Sequence, residues 1–214
     1  STAMSYQRIA ALPVLSTPPT YATTSTMGGE VFRPYLFFDG ADLMKTASID
    51  ISSTNKATCW VGAMSYTTAT NVFLSHGPNT ETTDGTFEVR RTSGSPGPYT
   101  ILARGNVFYG GFNTAAKTAY SKDVISVRYD LSATPNSNAV IPRVNGVLDQ
   151  TVGAGGTLGS INWTAQEFAI GARSGGTLHH NGDWYGCIFR AAASSLAEVE
   201  TGERWVASKA GVTL

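Results

Sequence analysis

The chain has 214 residues, with 15 Lys+Arg against 15 Asp+Glu, and only 14% of its residues are charged, against about a quarter in ordinary soluble domains. Sparse, balanced charge removes the electrostatic basis for binding nucleic acid or an anionic membrane, and no apolar run approaches the ~18 residues of a membrane-spanning helix. The length suits one large domain with a substantial core, and 23 Gly among many Ser, Thr and Ala predict a turn-rich β protein.

Residues 1–3 precede Met4 and read as a tag remnant, and no charged segment followed by an apolar one marks a signal peptide. Residues 4–28 contain Pro18-Pro19 and a Thr/Ser cluster without sustained periodicity. Such a stretch cannot bury enough surface to fold alone. Residues 1–28 are therefore expected to be tag remnant plus an extended arm or linker, and residues 29–214 the folded domain. Within that domain, short β-branched and aromatic runs alternate with Gly, Asn, Asp and Pro clusters. They predict strands near Phe32–Phe38, Lys56–Tyr66, Asn71–Ser75, Thr86–Arg91 and Tyr99–Arg104. Further strands are expected near Val124–Leu131, Ala139–Val144, Val147–Thr151, Phe168–Arg173 and Trp184–Ala191.

Two of these segments are diagnostic. In "VISVRYDL", Ile125, Val127, Tyr129 and Leu131 fall on one face while Ser126, Arg128 and Asp130 fall on the other, as in a half-buried strand. In "RVNGVL", Asn145-Gly146 supplies the positive φ angles of a tight hairpin turn. Ten or more strands at this spacing, with little helix, predict an all-β antiparallel jelly-roll sandwich of two sheets. The C-terminal segment differs. Ser195 and Glu198 form a capping box, Leu196, Val199, Val206 and Ala210 recur at helical spacing, Lys209 lies in the last turn and Gly211 can stop the helix. This short helix, Trp205 included, is expected to pack on the sandwich.

The densest chemistry lies in "HHNGDWYGCIFR", residues 179–190. As a transition-metal site it fails: His179 and His180 are adjacent and would point to opposite faces of a strand, and neither H-E-x-x-H nor Cys-x-x-Cys spacing occurs. Calcium is the alternative, through Asp183, Asn181 and the turn residues Asp39, Asp42 and Asp84, but it needs six to eight oxygens and only one carboxylate is local. No cofactor is otherwise expected. Cys59 and Cys187 sit in apolar strands and read as buried free thiols, with a bridge between neighbouring strands as the alternative. The paired carboxylates of a glycosidase are missing, as are G-x-S-x-G and a phosphate-binding Gly-rich loop. Sugar binding fits the residue types better. Trp184 would stack on a sugar face while Asn181, Asp183 and His179 bond its hydroxyls, with "HHNGDW" as a loop and "YGCIFR" as the closing strand. His76, Arg173 and Tyr109 are further loop-borne candidates. Ordinary turn chemistry for Asn-Gly-Asp, with Trp184 in the core, is the competing reading.

The order "FFDGADLM", "KATCWVGAMSY", "VISVRYD", "RVNGV", "FAIGAR", "GDWYGCIFR" resembles a concanavalin A-like, laminin-G-type jelly roll. The ending "SSLAEVETGERWVASKAGVTL" is similar to the last helix of such domains in structural proteins of tailed phages and prophages. The resemblance covers residues 31–214. It implies a virion protein (tail fibre, spike or head decoration) whose partners are host-surface glycans or other virion proteins, with homo-oligomers common among such appendages. No ligand motif of the family maps onto these loops. The expected function is a non-enzymatic, carbohydrate-binding adhesion domain. The alternatives are a purely structural virion protein assembled through its N-terminal arm, and a glycan-cleaving enzyme.

Overall fold

The computed structural model describes residues 20–22, 34–134, 136–150, 157–159 and 161–214. The arm expected over residues 1–28 lies outside the described residues, apart from one short strand, β1 (Thr20–Ala22). The domain is a two-sheet antiparallel sandwich of concanavalin A-like architecture. In chain order its strands are β2 (Tyr35–Asp39), β3 (Met44–Ile49), β4 (Lys56–Ser65), β5 (Asn71–His76), β6 (Thr86–Arg91), β7 (Gly97–Arg104), β8 (Phe108–Lys117) and β9 (Lys122–Asp130). One helical turn, α1 (Asn136–Ala139), precedes β10 (Val140–Val144), β11 (Val147–Leu148), β12 (Gln166–Ile170), β13 (Asn181–Arg190) and the helix α2 (Leu196–Ala210). One sheet has seven strands in the order β1-β2-β13-β4-β9-β10-β11, the other six in the order β3-β12-β5-β6-β7-β8. The closing strand β13 thus lies between β2 and β4, bringing the two ends of the domain side by side.

Alternation dictates the core. Along β4, Ala57, Cys59, Val61 and Ala63 point inward, as do Ile125, Val127 and Tyr129 along β9, and all belong to one apolar cluster between the sheets. An aromatic group fills its centre, with Phe87 5.6 Å from Trp163, 4.9 Å from Tyr129 and 5.8 Å from Phe189. The predicted hairpin is present: Asn145 and Gly146 take φ of 50° and 79°, and Val144 pairs with Val147. Cys59 and Cys187 are free thiols, pushed up by burial, Cys187 to about 12.

The outer residues of β4 are buried as well, because α2 lies across them. Ser195 accepts from the Glu198 N–H while the Glu198 side chain reaches back to the Ser195 N–H, and Gly211 closes the helix with φ of 73°. The Trp60 indole donates to the Val199 carbonyl at 2.9 Å. Glu203, also buried, accepts from Ser126 at 2.6 Å and from Arg143 at 2.8 Å. Trp205 departs from expectation: it is 47% exposed and only the Val199, Val206 and Ala210 side of the helix is buried. Predicted boundaries also shift. "HHNGDW" is loop only at His179 and His180, since Asn181–Asp183 already pair with β2 and β4. Here Gly182 serves close strand approach and not a turn, for a Cβ at this residue would lie 2.0 Å from the Met64 carbonyl oxygen. The strands β3 and β8, both at edges of the six-stranded sheet, carry too little apolar alternation to announce themselves in the sequence.

Candidate binding surface

A β-bulge in the closing strand builds the site. Trp184 pairs with Ala63 and Gly186 with Gly62, so Tyr185 is an extra residue opposite β4. An inserted residue reverses the alternation locally. Asp183 and Tyr185 consequently both project from the outer face of the seven-stranded sheet, whereas Trp184 packs with Leu36 against the core. The helix α2 covers Trp60 and Gly62 further along the same face and leaves this end open.

Asp183 is 3% exposed. Its Oδ2 accepts from the Tyr185 hydroxyl at 3.1 Å, and its Oδ1 is buried without a hydrogen-bond partner. Burial raises the Asp183 pKa above its ordinary 3.8, opposed by the hydroxyls of Tyr66 and Tyr185 and by the charge of Lys122. The Tyr66 hydroxyl acts on this carboxyl without completing a hydrogen bond to Oδ1. Both tyrosines are themselves shifted up, by burial first and then by Asp183, so their hydroxyls remain protonated donors. An unpartnered buried acceptor costs roughly 1–3 kcal/mol, and more when charged.

Aromatic rings surround the carboxylate. Tyr35 meets Tyr185 edge-on at 6.0 Å, Phe37 lies 6.1 Å from Tyr66, and Tyr66 stacks on Tyr120 at 5.5 Å. Tyr120, held at a positive φ of 66°, is 67% exposed. Toward the helix, Trp205 lies over Gly186, and a groove of about 320 Å³ runs between Trp205, Lys209, Tyr35 and Tyr185, walled by Pro34, Leu36 and Trp184. Apolar rings around a few convergent polar groups are the chemistry of a site for an amphipathic small ligand. Flat rings meet the C–H faces of a sugar, and a carboxylate oxygen without a partner is an acceptor for its hydroxyls once the side chains over it move aside.

The six residues predicted to bind sugar are not brought together. Asp183 is at the centre of the patch. Trp184 lies beneath it, its indole N–H buried without a partner. Asn181 stands further along the same face and donates to the Asp39 carbonyl at 3.3 Å. His179 bridges two loops, its ring nitrogens 3.1 Å from the carbonyl oxygens of Asp42 and Gly176. Arg173 lies in the loop after β12, on the side of the other sheet, committed to Glu88 at 2.7 Å and Glu81 at 3.1 Å. His76 is a core residue with no exposed surface, stacked on Phe87 at 5.4 Å and lowered by burial to about 4. The strand β8 carries Tyr109, whose side chain lies outside the described residues. For calcium, Asp39 and Asp42 do meet, the Asp39 N–H donating to Asp42 Oδ2 at 3.2 Å, while Asp84 is held by Arg104 at 2.6 Å. Among the described residues no three His, Cys, Asp or Glu side chains form a group suited to a metal ion. The patch residues missed in the sequence, Tyr35, Phe37, Tyr66, Tyr120 and Tyr185, become legible as a set only once pairing brings β2, the end of β4 and the turn before β9 beside β13.

No protein-family model and no curated protein sequence matches the chain. Solved structures do match in fold. Tailspike protein 2 of an Escherichia coli O157:H7 bacteriophage superposes with a TM-score of 0.62 at 12% identity, over 96% of this chain and 28% of the tailspike. A heptameric SAP-like pentraxin of Limulus polyphemus gives 0.57 at 10% identity, over 77% of this chain and 79% of that one. The CBM40 of a Ruminococcus gnavus IT-sialidase, bound to alpha2,3 sialyllactose, gives 0.52 at 13% identity, over 82% and 96%.

Proposed function

We propose that this domain binds carbohydrate on the outer face of its seven-stranded sheet, without cleaving it, as an adhesion module of a phage virion appendage. The observation that carries this reading is the buried, unpartnered Oδ1 of Asp183 among half-buried aromatic rings, with Tyr120 exposed at their edge. A fold retains such a costly acceptor where a ligand completes it. The rings supply apolar stacking area, and the hydroxyls of Tyr66 and Tyr185 keep the carboxylate oriented. The reading is of binding alone because hydrolysis by the two-carboxylate route needs a pair flanking the sugar. Asp183 is the buried carboxylate of the patch, and Asp39, further along β2, turns its own to the Ala41 N–H at 2.8 Å. A place in a virion is supported by the likeness to a phage tailspike across nearly the whole chain, and a glycan ligand by the likeness to a domain bound to sialyllactose. A glycan array probed with the purified chain tests the proposal. Binding that Asp183→Asn abolishes supports it, whereas turnover of a bound polysaccharide overturns the non-catalytic part.

A further inference from the structure

We infer that the carbohydrate taken by this patch is acidic, an oligosaccharide whose sugar carboxylates meet Lys122 and Lys209. The inference rests on the glycan-binding reading above. The other described lysines are each tied to a carboxylate: Lys45 to Glu167, Lys56 to Asp130 and Lys117 to Asp149. Lys122 and Lys209 are exposed and take part in no ion pair among the described residues. Each ammonium instead lies over a ring of the patch, Lys122 5.8 Å from the centre of Tyr185 and Lys209 5.3 Å from that of Trp205. Tyr185 and Trp205 both line the groove, as does Lys209.

A sugar seated on these rings therefore has an ammonium group beside each of them. The formal net charge of the chain is zero, so this excess is local and not a general basic character. Ring contact holds each ammonium in place while leaving its N–H donors free for an anion. The buried Asp183 gives the site polarity: its Oδ1 accepts from ring hydroxyls, while the acid group of the sugar is directed to the lysines at the rim. Charge on the rim also steers an anionic polymer toward the groove, an effect that salt weakens.

The test is an array of purified bacterial surface polysaccharides in three sets, probed with the whole chain: polymers carrying uronic or nonulosonic acids, the same polymers after carboxyl reduction, and neutral polymers. Binding is expected to concentrate on the acidic set and to fall about tenfold or more on carboxyl reduction. A Lys122→Gln/Lys209→Gln double variant should lose the same factor, with no further loss on carboxyl-reduced polymers. Equal binding before and after reduction, or a double variant that binds as the parent does, overturns the inference. Binding of neutral polymers alone, abolished by Asp183→Asn, overturns acid recognition and leaves the site standing. Binding of no polysaccharide overturns both.

Discussion

The Tyr185 hydroxyl donates to one oxygen of the Asp183 carboxylate while the other is buried without a partner in hydrogen-bond geometry, the Tyr66 hydroxyl lying beside the carboxyl. Residues two apart share a strand face, and the bulge turns this face outward although Cys187 and Phe189, further along β13, point inward. A half-satisfied carboxylate is a liability for folding. Its effects on stability and on binding should therefore oppose one another.

Asp183→Asn keeps an acceptor for Tyr185 and removes the buried charge. Because burial raises the folded-state pKa above 3.8, the stability that Asp183 contributes is fully present below that value and lost as pH rises through the folded value. The Asn variant should accordingly melt above the parent at pH 7, by about 2–4 °C for each 1 kcal/mol relieved, and the difference should vanish near pH 3. Calorimetry of both proteins at the two pH values measures this. An Asn variant that melts below the parent at pH 7 would show the carboxylate to be a structural group.

Tyr120→Ala should weaken glycan binding about tenfold with little change in melting temperature, because the ring is largely exposed and, among the described residues, stacks on Tyr66 alone. Trp184→Phe should do the reverse, lowering stability by about 1–2 kcal/mol and leaving affinity within about twofold. Urea denaturation paired with binding isotherms separates the two. If the Trp184 variant alone loses binding, the ligand sits at the residue beneath the patch.

Gly202→Ala sets local preference against packing. In an exposed helix the change gains about 1 kcal/mol. Here the new Cβ would lie 2.5 Å from the Trp60 indole, which anchors α2 to the sheet, and overpacking costs roughly 1–3 kcal/mol. Packing should win. A lower denaturation midpoint, with reduced protection of α2 amides in hydrogen exchange, is the expected result.

His76 and His180 are both buried and lowered to about 4, in each case chiefly by desolvation. Their neutral forms contribute stability that is present above the ordinary histidine pKa of 6.5 and is lost as pH falls toward 4. Each accounts for on the order of 3 kcal/mol at most. A pH series of urea melts should show stability dropping across this window, and His76→Gln should flatten the drop. His180, which lies 2.9 Å from Asn71, should continue to supply the remainder.

The sandwich was legible in the sequence wherever one face of a strand is apolar, as with the alternation of β9, and wherever turn chemistry is local, as at Asn145-Gly146 and in the Ser195–Glu198 cap. The binding surface was legible only in part. Asp183 was identified, yet "NGD" reads as a turn because nothing within those residues shows that Gly182 serves a close approach of β4. Trp184 attracts attention as the large ring of the segment, but it points inward opposite Ala63, while Tyr185 points outward to meet less conspicuous tyrosines from β2 and from turns. Arg173 and His76 were singled out by residue type, and pairing with Glu88 in one case and burial in the other are long-range facts.

The most direct test of the Asp183-centred patch is a calorimetric titration of one array-positive polysaccharide into the parent chain and Asp183→Asn, with melting curves on the same samples. The structure predicts an affinity loss of about tenfold or more together with a higher melting temperature for the Asn variant at pH 7. Equal affinity in the two proteins would contradict it.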